Sequence, residues 1–139
     1  MGLNKKAKSF VLIMVTIAIV AFLLRFAIKK VIDVVCLQNE GAAAATLKSI
    51  AVGLDNYARD NKGVYPVNFS ALVQGTPAYL NRDYVADSPI KGYTYTCSRL
   101  DSTGYSCYAF PLRCALTGRI AFTATTGNIL ISEDCKKKE

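Results

Sequence analysis

A chain of 139 residues with 17 Lys and Arg, 10 Asp and Glu and no His carries a formal net charge of +7. The missing imidazole removes zinc sites of mixed type, attached haem, and Ser–His or Cys–His nucleophile pairs from consideration. The charge is unevenly spread. From Leu47 to Cys135 eight basic side chains meet seven acidic ones, so the excess lies before Val31 and in Lys136-Lys137-Lys138, which suits anionic lipid better than a nucleic-acid-binding face.

Residues 1–9 form a basic leader with Lys5, Lys6 and Lys8. The stretch Phe10 to Leu24 then carries no charge. As helix it covers ~22 Å at ~1.5 Å per residue, short of a ~30 Å hydrocarbon core. Extension to Ile28, with Arg25 snorkelling to the interface, brings it to ~28 Å, so residues 10–28 are expected to span a membrane. A cleaved secretory signal is the rival reading. It needs small residues around a cleavage site, where this chain reads Leu-Leu-Arg-Phe-Ala-Ile-Lys-Lys. The anchor is the better fit.

Residues 29–62 continue as an amphipathic helix. Leu47, Ile50, Leu54 and Tyr57 repeat at spacings of three, four and three, which keeps one helical face apolar. Gly41 interrupts a strong helix former, Ala42 to Ala45, at ~1 kcal/mol relative to Ala. Small side chains here also permit close helix–helix approach. Gly63 and Pro66 end the helix.

Two segments carry a family resemblance. Lys8-Ser9-Phe10-Val11-Leu12-Ile13-Met14 resembles the processing junction of type IV pilin-like proteins, which include the pseudopilins of type II secretion. Tyr57-Ala-Arg-Asp-Asn-Lys-Gly-Val-Tyr-Pro66 is similar to the Tyr-x-x-Asp-Asn-Gly-x-Tyr-Pro segment that closes their long helix. The resemblance implies cleavage between Ser9 and Phe10, a single-pass protein of the bacterial inner membrane, and a head in the periplasm or in an extracytoplasmic filament. It implies as partners other pilin-like subunits, the inner-membrane assembly machinery and membrane lipid. Two departures bear on the role. Ser9 stands where the family has Gly. Met14 stands where it has the Glu that receives a neighbouring subunit's terminal amine, and a buried charge there is tolerable only when paired. A minor or tip-type subunit, or one that never polymerises, fits Met14 better than a main-shaft subunit.

Residues 63–135 make a small head with a modest core that benefits from staples. Phe69 to Gly75 reads as a short helical turn, and Thr76 to Pro89 as a loop laying Tyr79, Leu80, Tyr84 and Val85 over the core. Gly92 to Cys97 and Tyr105 to Phe110 alternate as strands around the turn cluster Asp101 to Gly104. Arg119 to Thr125 and Asn128 to Ser132 form a second hairpin about Thr126-Gly127. The tyrosines on or near these strands are expected to be half-buried.

The five cysteines are Cys36, Cys97, Cys107, Cys114 and Cys135, with no Cys-x-x-Cys pair. A disulfide framework in an oxidising compartment is the economical reading. The last four allow three pairings. The first hairpin brings Cys97 opposite Cys107, which leaves Cys114 for Cys135. Cys36 is left over, as a buried small residue or as an intersubunit crosslink.

Asp83 with Asp87, or Glu133 with Asp134, are calcium candidates of the kind that related pseudopilins carry, but neither matches a loop of alternating oxygen ligands, so no cofactor is expected. The expected architecture is α+β: one long N-terminal helix whose second half lies across an antiparallel sheet of about four strands. The expected role is structural, without catalysis. A DNA-binding minor pilin for uptake and a non-polymerising anchored protein are the alternatives.

Overall fold

The computed structural model describes residues 4–135; the Lys136–Lys138 tail and the start of the leader lie outside them. Helix α1 runs over Lys5–Asp60 and α2 over Ala71–Gln74. The strands are β1 (Tyr93–Asp101), β2 (Gly104–Pro111), β3 (Ile120–Thr125) and β4 (Ile129–Asp134). They form one antiparallel sheet in the order β1-β2-β3-β4. The fold is α+β, a long N-terminal helix with a small antiparallel sheet. The chain divides into two compact units between Val34 and Val35.

Helix α1 meets no proline before Pro66, and its end is chemically marked. Lys62 and Gly63 both take positive φ, 58° and 85°. The Gly63 N–H bonds back to the Ala58 carbonyl at 2.7 Å, the six-to-one bond of a Schellman end. The helix therefore stops at Asp60, two residues before the expected boundary, because the left-handed position falls on Lys62 as well as Gly63. At the other end α1 already includes Lys5 to Ser9. The second half of the basic leader is thus helical and continuous with the apolar run.

In the second unit the apolar stripe is buried. Leu47, Ile50 and Leu54 are at most 1 % exposed, and Ala43, Ala51 and Ala58 join them. They pack with Tyr93, Tyr95, Tyr105, Cys107, Ala109, Phe122 and Ala124 from the sheet and with Phe69, Leu72 and Leu80 from the connecting segment. Tyr57 is partly buried and meets Tyr79 edge to face, 5.4 Å between ring centroids. Gly53 is where Leu80 comes closest: a Cβ there would lie 2.9 Å from the leucine side chain.

The first hairpin turns at Ser102 and Thr103, with Asp101 paired to Gly104. The Asp101 carboxylate accepts N–H bonds from Thr103 (2.8 Å) and Gly104 (3.1 Å), a side-chain replacement for turn backbone. Arg99 also donates to it, at 2.8 Å, and this guanidinium with Thr103 holds the carboxyl well below the usual carboxylate range. The second hairpin turns through Thr126 to Asn128, where Gly127 and Asn128 take positive φ. Both hairpins lie where the turn residues put them, with β1, β2 and β4 longer than expected and β3 one residue shorter.

The two sheet edges are treated differently. At β1, Ser88 Oγ accepts the Tyr95 N–H at 2.8 Å and itself donates to the Tyr84 carbonyl, so the loop before β1 closes that edge. At β4 every residue is exposed. The buried cluster draws on β1, β2 and β3 and on nothing from β4.

Candidate functional site: an apolar helical segment and a stapled head

Every side chain from Phe10 to Leu24 is exposed in its unit, including Phe10 (63 %) and Met14 (56 %). One polar group interrupts the run. The Thr16 hydroxyl donates to the Ile13 carbonyl at 2.8 Å, so its hydrogen-bonding capacity is used within the helix. Phe10 and Met14 sit four residues apart and so share one helical face. Ser9 is exposed inside the helix; cutting the Ser9–Phe10 bond requires that turn to open. By length and composition α1 is able to cross a membrane.

The cysteines of the head pair as Cys97–Cys107 and Cys114–Cys135. Cys97 and Cys107 are direct register partners on β1 and β2, just before the irregularity at Ser98. The second bridge ties the end of β4 to the segment between β2 and β3, across a sequence separation of 21. Cys36 is the free thiol and is 1 % exposed. A thiol so enclosed has no route to a neighbour's thiol without local opening, which favours the packing role over the crosslink.

The segment 112–119 folds into a knuckle between β2 and β3. Thr117 Oγ1 donates to the Arg113 carbonyl and accepts the Arg113 N–H. Ala115, at φ 68°, donates to the Gly118 carbonyl at 2.8 Å. The start of the head helix holds the knuckle in place: Asn39 Nδ2 donates to the Thr117 carbonyl at 2.9 Å, and Glu40 Oε1 accepts the Arg119 N–H at 2.6 Å. Tyr93 runs beneath it and donates to the Ile120 carbonyl at 2.7 Å. Burial, with the Glu40 charge second, pushes the Tyr93 phenol up to about 12. These contacts gather residues from three distant parts of the chain, and sequence spacing gives no signal for them.

Tyr57, Tyr65, Tyr79, Tyr84 and Tyr108 are half-buried as expected, and three on the sheet are deeper. Tyr93, Tyr95 and Tyr105 are at most 3 % exposed. Tyr65 donates to Asp55 at 3.1 Å, and burial followed by that carboxylate raises its phenol. The Tyr105 hydroxyl is buried with no partner in hydrogen-bonding geometry among the described residues.

The acidic pairs are engaged or divergent. Asp83 caps its own turn through the Val85 and Ala86 N–H groups, at 3.1 and 2.9 Å. Asp87 is paired with Arg82 at 3.0 Å. Glu133 and Asp134 are neighbours on β4 and so point to opposite faces of the sheet. A shallow groove of about 590 Å³ lies between α1 and the 79–84 loop, lined by Lys48, Val52, Gly53, Tyr79, Asn81 and Tyr84. No protein-family model, curated protein or solved structure matches the chain.

Proposed function

We propose that the protein is a pilin-like structural subunit, anchored in the bacterial inner membrane by residues 10–28, with its disulfide-stapled head outside the cytoplasm. The observation that carries this reading is the exposure of the uncharged run Phe10 to Leu24, apolar but for Thr16, in the same helix that buries Leu47, Ile50 and Leu54 against the sheet. Fifteen such residues in water have an unfavourable free energy of tens of kcal/mol at about 25 cal/mol per Å², so lipid or like helices are their environment. Lys5, Lys6 and Lys8 are balanced by Arg25, Lys29 and Lys30 across the run, so charge does not set the orientation. The stapled cysteines, which favour an oxidising compartment, support a head outside the cytoplasm.

Subunits leave the membrane when neighbouring helices replace lipid around the apolar segment, and the head supplies surfaces to its neighbours. The chain catalyses no reaction of its own. Met14, in place of a carboxylate, offers no charge to a neighbour's terminal amine, which suits a minor or tip position in a secretion or pilus assembly.

The test is fractionation of the full chain in a bacterial host. Recovery in the membrane fraction, resistance to carbonate, and digestion of the head by protease added to spheroplasts are expected. Crosslinking should add a ladder with other pilin-like subunits. A head protected in intact spheroplasts, or a chain soluble without detergent, overturns the proposal.

A further inference from the structure

The knuckle exposes what a loop of its size ordinarily hides. Leu112 is 57 % exposed and Leu116 49 %, and Arg113 and Lys91 are exposed beside them. Lys91 belongs to the surface because Gly92 packs directly on the knuckle: the Leu112 N–H donates to the Gly92 carbonyl at 2.8 Å, and a Cβ on Gly92 would meet Thr117. The segment 112–119 contains Arg113 and Arg119 and no acid. The nearby Glu40 carboxylate is engaged with the Arg119 N–H.

Three features make this surface rigid: the Cys114–Cys135 bridge, the Thr117–Arg113 bonds and the Asn39 contact. Two leucines held outward on a stapled loop lose little freedom on docking. The knuckle also sits at the end of the head where the chain enters, since it is held by Asn39 and Glu40 of the unit that begins at Val35. Six residues lie between Ile28, the end of the expected span, and Val35, where the head unit begins.

We infer that Leu112, Leu116, Arg113 and Lys91 form a lipid-docking surface that rests on the anionic interface of the membrane holding the anchor. The leucines enter the headgroup boundary and the two cations meet lipid phosphates. Docking would hold the head down before assembly and release it as neighbours displace lipid. This inference rests on the membrane-anchored reading above and adds a second contact to it.

The experiment uses the full chain in nanodiscs of phosphatidylglycerol and phosphatidylcholine doped with a lipid spin-labelled near its headgroup. Leucine methyl signals are read. Leu112 and Leu116 are expected to lose intensity while the buried Leu54 and Leu72 keep theirs. Arg113→Glu with Lys91→Glu should restore the knuckle signals and leave the anchor's Leu23 and Leu24 affected by a label placed deeper in the acyl chain. If the anchor leucines broaden with the deep label but Leu112 and Leu116 stay as sharp as Leu54, docking is wrong and anchoring stands. If neither set broadens, the anchored reading fails and docking with it. Broadening of the knuckle by a spin label on a second copy, and not by labelled lipid, assigns the surface to a subunit contact and also overturns the inference.

Discussion

Tyr93 and Tyr105 are both buried tyrosines of the sheet, yet their hydroxyls stand in opposite situations. Tyr93 donates to the Ile120 carbonyl, whereas Tyr105 lies near the Asn128 backbone and the Asp55 carboxylate without an aligned hydrogen bond among the described residues. Tyr93→Phe is expected to cost about 1–2 kcal/mol in urea unfolding, because it orphans a carbonyl, while Tyr105→Phe should be neutral or slightly stabilising. Equal losses from the two would contradict this. Burial raises both phenols, so each contributes stability that is complete below the unfolded value of about 10. For Tyr93 that contribution falls as pH climbs through about 12. Alkaline unfolding followed by tyrosinate absorbance should show ionisation and loss of structure together; phenols ionising in a still-folded head would refute it. Gly118 lies over the Tyr93 ring, where a Cβ would come within 2.6 Å of the phenol carbon. Gly118→Ala should therefore destabilise the head by roughly 1–3 kcal/mol, and an unchanged midpoint would show that the ring gives way.

At the scale of elements, the two glycines of α1 have opposite meanings. Gly41 is exposed, and a Cβ there would meet nothing within 4 Å, while Gly53 faces Leu80. Gly41→Ala should stabilise by up to ~1 kcal/mol from helix propensity, and Gly53→Ala should destabilise; the denaturation midpoints check both signs. Strand β4 is wholly exposed and lies at the open edge of the sheet. Its far end is secured by Cys135. Removing the Cys114–Cys135 bridge by paired Ala substitution is expected to cost roughly 3 kcal/mol and to raise amide exchange in β4 far more than in β1 or β2. Uniform exchange would show that β4 is held by its ladder alone. The hairpins and the Cys97–Cys107 pairing were legible because turn residues and strand alternation act over a few residues. The bareness of β4 was not, since the strand pattern of Asn128 to Ser132 places it in a hairpin without saying which surface covers it.

For the whole molecule, thiol chemistry offers a simple count. Alkylation of the folded protein without reductant should add nothing, and alkylation after denaturation should add one group, on Cys36. A mass shift corresponding to more than one free thiol in the unreduced chain would refute the stapled head. The same logic that places Cys36 inside explains why its burial was one of two open readings in the sequence. A lone cysteine carries no periodic partner, and Tyr93, which lies near it, is far away along the chain.

The sequence by itself determined an unbroken apolar helix, an amphipathic continuation and two hairpins, because periodicity, turn chemistry and proline placement act locally. It favoured one of three disulfide pairings, the one the structure has, because the first hairpin sets Cys97 opposite Cys107. Only the tertiary structure decided which faces are covered: Tyr93 under Gly118, Ser88 closing one sheet edge, β4 left open, and two leucines held outward on a basic knuckle. Those outcomes depend on surfaces that meet across long stretches of chain, and no short window of residues encodes where a distant surface will lie.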